Sequence, residues 1–135
     1  ALNKEEAIEE ANYVLTLVKP YNITYPIAID VEAIENDSFR QENLSASELT
    51  DVIIAFCDTI KAAGYTPLIY SNLLYFMDNV ELERLEGYDK WFAGYQTASP
   101  YYPYKYAMWQ YTSTGSINGV SGNIDINIAM KKLKK

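Results

Sequence analysis

Two acidic side chains, Asp30 and Glu32, stand one residue apart in the short apolar segment IAIDVE (27–32). On an extended strand, residues two apart point to the same side and lie about 6.6 Å from each other. Two carboxylates held so near cannot both ionise freely, because repulsion and partial burial raise the pKa of at least one of them. The pair can therefore supply a proton donor beside an anion.

This combination suits the hydrolysis of a glycosidic bond, which needs an acid to protonate the leaving oxygen and anionic groups beside the developing positive charge. A D-x-E triplet is common, so two other interpretations stay open: exposed acids at a strand end, or ligands of a divalent cation. The chain has no histidine, which excludes histidine triads and histidine-ligated metal sites. We expect neither a metal ion nor a cofactor.

Later segments place aromatic and amide side chains at the ends of further strands. Flat rings beside hydrogen-bonding groups suit a sugar, because its C–H faces stack on aromatic rings and its hydroxyl and acetamide groups take polar partners. For any single ring, packing in the core is the alternative, and for Trp91 it is the more common outcome. The residues concerned are Trp91, Tyr95, Tyr106, Trp109, Tyr111, Asp125 and Asn127.

The elements that must position these residues follow from hydrophobic periodicity and capping signals. Capping boxes start at Asn3 and Ser45. The pattern predicts helices over 2–20 and 45–65, one or two short helices within 72–87, and strands over 27–32, 66–71, 90–95, 106–112 and 124–129. This order predicts an α/β fold with a parallel sheet, in which Ile27, Ile29 and Val31 face the helices and the acids lie at the carboxyl ends of the strands.

Composition limits the possible partners. The 135 residues fit one domain (1–135), and their net charge of -7 repels nucleic acid and anionic membranes, so we expect neither as a partner. No apolar run approaches the length needed to cross a bilayer, and the acidic start is unlike a signal peptide. The single cysteine, Cys57, is expected to be a buried apolar residue.

Taken in order, these segments resemble the glycoside hydrolase family 25 lysozymes. IAIDVE resembles the D-x-E strand of that family, AAGYTPLIYSN its helix-to-strand step, WFAGY its W-x-A-x-Y strand, and YAMWQYTSTGSINGVSGNIDIN its closing M-W-Q-Y to D-x-N segment. The resemblance implies an irregular β/α barrel and cleavage of the bond between N-acetylmuramic acid and N-acetylglucosamine in peptidoglycan. It also implies action outside the cell or at the cell wall.

The resemblance assigns roles to matching residues. It implies that Glu32 is the general acid/base and that Asp30 and Asp125 steady the substrate acetamide, which attacks the sugar carbon with retention of configuration. The substrate-binding candidates on the matching segments are Tyr70, Trp91, Tyr95, Trp109, Gln110, Tyr111 and Asn127.

One departure from the family pattern concerns its first strands. Family members begin with a D-x-S-type strand that carries a further aspartate and two more βα units, which this sequence lacks. We therefore expect a partial TIM-like barrel of about five strands, the C-terminal portion of the catalytic domain, whose open edges are covered by a missing N-terminal segment or another chain. The chain alone is expected to hydrolyse peptidoglycan weakly or not at all. The competing hypotheses are a non-catalytic module that binds cell-wall glycan and, last, a structural fragment without a ligand.

Overall fold

The computed structural model describes residues 1–33, 43–95 and 100–133. They form one five-stranded sheet with helices. In chain order the elements are α1 (Lys4–Val18), β1 (Ile27–Asp30), α2 (Ala46–Ala62), β2 (Pro67–Asn72), α3 (Leu73–Asn79), a 3-10 helix (Leu82–Leu85), β3 (Asp89–Ala93), β4 (Met108–Gly115) and β5 (Ile124–Ala129).

Both long helices begin at the predicted capping residues. The Asn3 side chain accepts a hydrogen bond from the Glu6 backbone N–H at 2.9 Å. Ser45 and Glu48 form the reciprocal capping box. Each cap satisfies backbone donors that the first helical turn leaves without a partner. The predicted spans extend one to three residues past each helix end, because they took in the caps and the turn residues beside them.

The strand order is β1-β2-β3-β4-β5. The first three pairs are parallel, and β4 pairs with β5 in the antiparallel direction. The predicted α/β fold is confirmed, but the prediction of a parallel sheet is wrong for β5. Residues 116–123 alone separate β4 from β5, and such a connection is too short for the crossover that a parallel pair needs. The last two strands therefore form a hairpin.

The core lies between the sheet and the helices. Helix α2 packs on β1 and β2, and α1 packs on α2 through the buried small residues Ala7 and Ala11. Ile27 and Val31 are buried in this core, and Ile29 is partly buried against it. The predicted inward side of β1 is therefore confirmed, and the acids are carried on the other side. Cys57 is buried, as predicted.

The two outer strands each pair on one side only within the described residues: β1 pairs with β2 and β5 with β4. Three large apolar side chains spaced four residues apart are exposed: Tyr13 (66%) and Leu17 (53%) on α1 and Tyr21 (68%) just after it. We call these three the α1 stripe. Across the described ranges, no helix is long and apolar enough to span a bilayer.

Candidate active site

The acid pair stands at the carboxyl end of β1. The strand ends at Asp30, two residues before the predicted end, but its pairing continues for one residue, because the Val31 N–H donates to the Tyr70 carbonyl at 2.9 Å. The hydroxyl of buried Ser71 donates to the Val31 carbonyl at 2.5 Å. The residue that separates Asp30 from Glu32 is thus held through both of its backbone polar groups.

Both carboxyl groups are harder to ionise than usual. Partial burial raises the pKa of Asp30. Partial burial and, after it, the nearby charge of Asp30 raise the pKa of Glu32. Both residues are exposed overall, so the raised pKa values reflect crowding by neighbouring atoms and not enclosure. The pair has the electrostatics of a proton donor beside an anion.

A tyrosine links the acids to the next strands. The sheet register aligns Asp30 with Tyr70 and Tyr70 with Trp91, so the three side chains share one side of the sheet. The Tyr70 hydroxyl donates to Gln110 Oε1 at 2.9 Å, and the Tyr95 hydroxyl donates to the same oxygen at 2.6 Å. Gln110 is 3% exposed. Its carboxamide is therefore a buried anchor for two phenols.

Burial raises the pKa of Tyr70, and the charge of Tyr95, the charge of Glu32, a hydrogen bond with Tyr95 and the charge of Asp30 add to this. The register sets Asp30 directly beside Tyr70, so the carboxyl pair and the tyrosine pair are neighbours on one side of the sheet. Tyr70 stays a neutral hydrogen-bonding group throughout the physiological range.

Trp91 connects this site to the last strand. Its indole N–H donates to Asn127 Oδ1 at 2.7 Å, and its ring meets the Tyr70 ring edge-on with centroids 4.8 Å apart. Trp91 is half-buried, with its polar group turned to the site. The alternative of plain core packing does not describe it.

Asp125 lies on the same side of the sheet as Asn127. The register shifts of the hairpin insert extra residues in β4, and β5 is continuous, so residues two apart on β5 point the same way. Because β5 runs antiparallel, Asp125 is nearer than Asn127 to the end of the sheet that carries the acids. Its carboxylate makes no hydrogen bond or ion pair with any described residue.

Two predicted residues lie apart from this cluster. Alternation along β4 places Trp109 on the side that carries Phe92, opposite to Gln110. The Trp109 indole N–H donates to the Gly94 carbonyl at 2.9 Å, and its ring lies 5.8 Å from that of Tyr111. The two rings thus meet edge-on beside the loop that follows β3 and do not join the polar network around Gln110.

Two further residues, which the sequence analysis did not single out, shape the site. Ser71 fixes the backbone between the acids. Asn72 caps α3 by accepting hydrogen bonds from the backbone N–H groups of Leu74 and Tyr75. The signals were present, since Ser71 alternates with Tyr70 and so points inward, and asparagine is a preferred helix cap.

A cavity of about 600 Å³ opens next to the tyrosine pair. It is mainly apolar and shares Tyr95 with the cluster. Its other lining residues are Asn72, Leu73, Leu74, Met77, Ala93, Gly94 and Tyr101. In the described part of the chain, no group of three acidic or cysteine side chains is placed to hold a metal ion.

The chain matches the model of the glycosyl hydrolases family 25 over residues 1–120 and belongs to this family. Among its relatives is the autolytic lysozyme of Clostridium acetobutylicum, 24% identical over 126 residues, which cover 93% of this chain and 36% of that protein. The lysozyme of Streptococcus phage Cp-7 is 32% identical over 121 residues, covering 82% of this chain and 33% of that one.

The fold is similar to that of a solved wall enzyme. The modular autolysin LytC from Streptococcus pneumoniae superimposes with a TM-score of 0.75 and 31% identity, covering 94% of this chain and 31% of that one. LytC has also been solved in complex with a synthetic peptidoglycan ligand. The chain thus spans about a third of the length of these three relatives.

Proposed function

We propose that the chain carries the active site of a peptidoglycan muramidase, which cleaves the β-1,4 bond between N-acetylmuramic acid and N-acetylglucosamine in the cell wall. The observation that carries this proposal is the carboxyl pair, which the sheet register sets beside Tyr70 and its cluster of aromatic and amide side chains. Membership of the family and the names of its lysozyme relatives support the substrate class. An enzyme that cleaves cell-wall peptidoglycan in this way acts outside the cell or at the cell wall.

In the mechanism that we propose, Glu32 protonates the leaving glycosidic oxygen, and the upward direction of its pKa favours the protonated form that this step needs. Asp30 and Asp125 orient the substrate acetamide for attack on the sugar carbon. Glu32 then accepts a proton from the water molecule that attacks the intermediate, because the group that acts as the acid in the first step acts as the base in the second.

The sugar-binding surface follows from the same cluster. Tyr70, Trp91, Tyr95 and Asn127 line it, with the cavity beside Tyr95 extending it. Trp109, with Tyr111 beside it, lies on the opposite side of β4, so we do not include these two rings in the proposed surface. Aromatic faces supply stacking area and the amide supplies directed hydrogen bonds.

Glu32→Gln tests the assignment. The change keeps shape and polarity but removes the proton donor, so in the complete natural protein we expect turnover to fall by orders of magnitude with little loss of glycan affinity. Release of reducing ends from purified peptidoglycan measures the first, and titration calorimetry with a wall oligosaccharide measures the second. Glu83→Gln, which alters an exposed acid of the 3-10 helix, is the matched control. Hydrolysis that survives Glu32→Gln would show that the acid is wrongly assigned.

The competing function is a module that binds wall glycan without cutting it. The observation in its favour is that the Asp125 carboxylate makes no hydrogen bond or ion pair with any described residue, so nothing ties it to the site of Asp30 and Glu32. Under that function, the Glu32→Gln protein and the unchanged protein would both bind glycan, and neither would release reducing ends.

We also propose that further polypeptide, from the same protein or another, pairs with the outer edge of β1 and covers the α1 stripe. Ile27 and Val31 donate to the β2 side, so the alternate N–H groups of Ala28 and Asp30 point to the outer edge. Exposed edges and apolar stripes are costly to leave uncovered. The relatives' greater length is consistent with such a cover.

Amide hydrogen exchange tests the cover. In the 135-residue chain, the amides of Ala28 and Asp30 should exchange much faster than those of Ile27 and Val31, which serve as internal controls. In the complete natural protein all four should exchange slowly. Fast exchange of Ala28 and Asp30 in the complete protein would contradict an edge-pairing partner.

A further inference from the structure

The oxygen of the Gln110 side chain receives two phenol protons. Tyr70 and Tyr95 donate to it at 2.9 Å and 2.6 Å. A tyrosine hydroxyl has one proton to donate and otherwise only lone pairs to offer. While both bonds last, neither tyrosine has a proton left for any other group.

The direction of the Tyr70 bond follows from the order of the strands. Tyr70 is on β2, with the acid-bearing strand β1 on one side of it and Gln110, on β4, on the other. The edge contact with Trp91, whose own indole is tied to Asn127, supports the Tyr70 ring as it leans toward β4. The hydroxyl proton therefore points away from Asp30 and Glu32.

We propose that Gln110 is a positioning residue that holds the hydroxyl protons of Tyr70 and Tyr95 away from the carboxyl pair, so that both phenols meet the substrate only as hydrogen-bond acceptors. The groups that they would receive are substrate O–H or N–H donors, such as the N–H of an acetamide. This assignment rests on the proposed function for its substrate but not for its geometry. It differs from the prediction that Gln110 binds substrate directly.

The arrangement has a consequence for the acids. A hydrogen bond donated to a carboxylate stabilises the charged form and lowers its pKa. The groups that face the pair are each other, Tyr70 from β2 and, through Tyr70, Tyr95 from the loop after β3. Gln110 and Asn127, from β4 and β5, are uncharged, and Asp125 makes no bond to the pair among the described residues. By holding the Tyr70 hydroxyl proton, Gln110 leaves the effect of burial on Glu32 without compensation from that phenol.

Gln110→Met in the full 135-residue chain tests the proposal. Methionine keeps the length of the side chain and removes its acceptor, so the freed Tyr70 hydroxyl should turn to the carboxyl pair. Carbon-13 NMR titration of the Glu32 and Asp30 carboxyl groups should then show a downward shift of the pKa of at least one of them. Adding Tyr70→Phe to this variant should abolish that shift. Tyr95→Phe, which leaves the bond from Tyr70 to Gln110 in place, is the control and should leave both values near those of the unchanged chain.

Unchanged carboxyl pKa values in a folded Gln110→Met protein would overturn the proposal. If that variant does not fold, the unchanged chain still decides. Its Tyr70 and Tyr95 hydroxyl protons should give observable resonances with nuclear Overhauser contacts to the Gln110 side chain, and contacts to Glu32 or Asp30 instead would refute the assignment. None of these measurements uses hydrolysis, so the proposal can fail while the muramidase function stands, and the reverse.

Discussion

The buried hydroxyl of Ser71 donates to the carbonyl of Val31, the residue that separates Asp30 from Glu32. The side chains of Asp30 and Glu32 keep a fixed relative orientation only if the backbone between them is fixed. On one side of β2 Tyr70 contributes a phenol to the site, and on the other side Ser71 holds the neighbouring strand. A small serine is therefore as relevant to the geometry of the acids as the acids themselves.

We expect Ser71→Ala to destabilise the protein by about 1–3 kcal/mol, because the buried Val31 carbonyl loses its side-chain donor. Urea unfolding of the chain measures this. In the complete natural protein, kcat should also fall, since the acid pair is held less firmly. Ser116→Ala, in the exposed loop after β4, is the control and should change neither. A Ser71→Ala protein that unfolds at the same urea concentration as the unchanged chain would mean that the bond contributes nothing.

At the scale of elements, the β4–β5 hairpin decides where the last acid lies. The extra residues of its register shifts lie in β4, so β5 stays continuous and presents Asp125 and Asn127 on the side of the acid pair. One shift lies between Thr112 and Gly115, where the two strands approach closely. A Cβ atom at Gly115 would lie 2.3 Å from Cδ1 of Ile126.

Gly115→Ala should therefore strain the hairpin. We expect a loss of about 1–3 kcal/mol in the free energy of unfolding, because the added methyl group forces Ile126 or the strand to move. Chemical shifts of Asp125 and Asn127 should change as well. Gly87→Ala is the matched control, since nothing lies within 4 Å of its added Cβ atom. Equal stability of the two variants would argue against the close approach.

The elements were more predictable than their mutual arrangement. Caps at Asn3 and Ser45 and alternation along β1 are local signals, and the structure confirms them. The predicted parallel direction of β5 was wrong, because apolar and polar residues alternate in the same way in parallel and antiparallel strands. Only the short connection between β4 and β5 distinguishes the two. The Gln110 side chain bonds to Tyr70 and Tyr95, which lie 40 and 15 positions before it in the chain. Such contacts depend on register, which periodicity alone does not give.

At the scale of the whole molecule, β3 divides its side chains between the site and the interior. Trp91 faces the site, and its neighbour Lys90 is fully buried on the other side. The Lys90 ammonium donates to the carbonyls of Leu85, Glu86 and Tyr88 at 2.8, 3.2 and 2.6 Å. Burial lowers its pKa to about 8, although the charges of Asp89 and Glu86 oppose this. A buried cation thus holds the turn that leads into β3.

The low pKa of Lys90 predicts a pH dependence of stability. Between pH 8 and 10 the unfolded chain keeps a proton on Lys90, whose ordinary value is 10.5, and the folded chain releases it. Stability should rise with pH between about 8 and 9, because the unfolded state binds more protons there. Above about pH 9 the trend should reverse, because burial raises the pKa of the Cys57 thiol from 9.0 to about 12 and that of Tyr102 from 10.0 to about 12, so the unfolded state releases these protons first.

Urea unfolding in steps between pH 8 and 9 measures the rise. Lys90→Met removes the titrating group and should remove the rise, whatever it costs in overall stability. A rise of the same size in both proteins would assign it to another group.

Both tryptophans of the chain lie where β3 pairs with β4, Trp91 on the side of the site and Trp109 on the other side. The Trp91 indole is bonded to Asn127, and the Trp109 indole is bonded to the carbonyl of Gly94, next to Tyr95. Fluorescence excited at the long-wavelength edge of protein absorption, where only tryptophan absorbs, therefore comes from these two residues alone. Intrinsic fluorescence is therefore a label-free signal of oligosaccharide binding. Trp91→Phe and Trp109→Phe would each leave one tryptophan, whose side of the sheet is known.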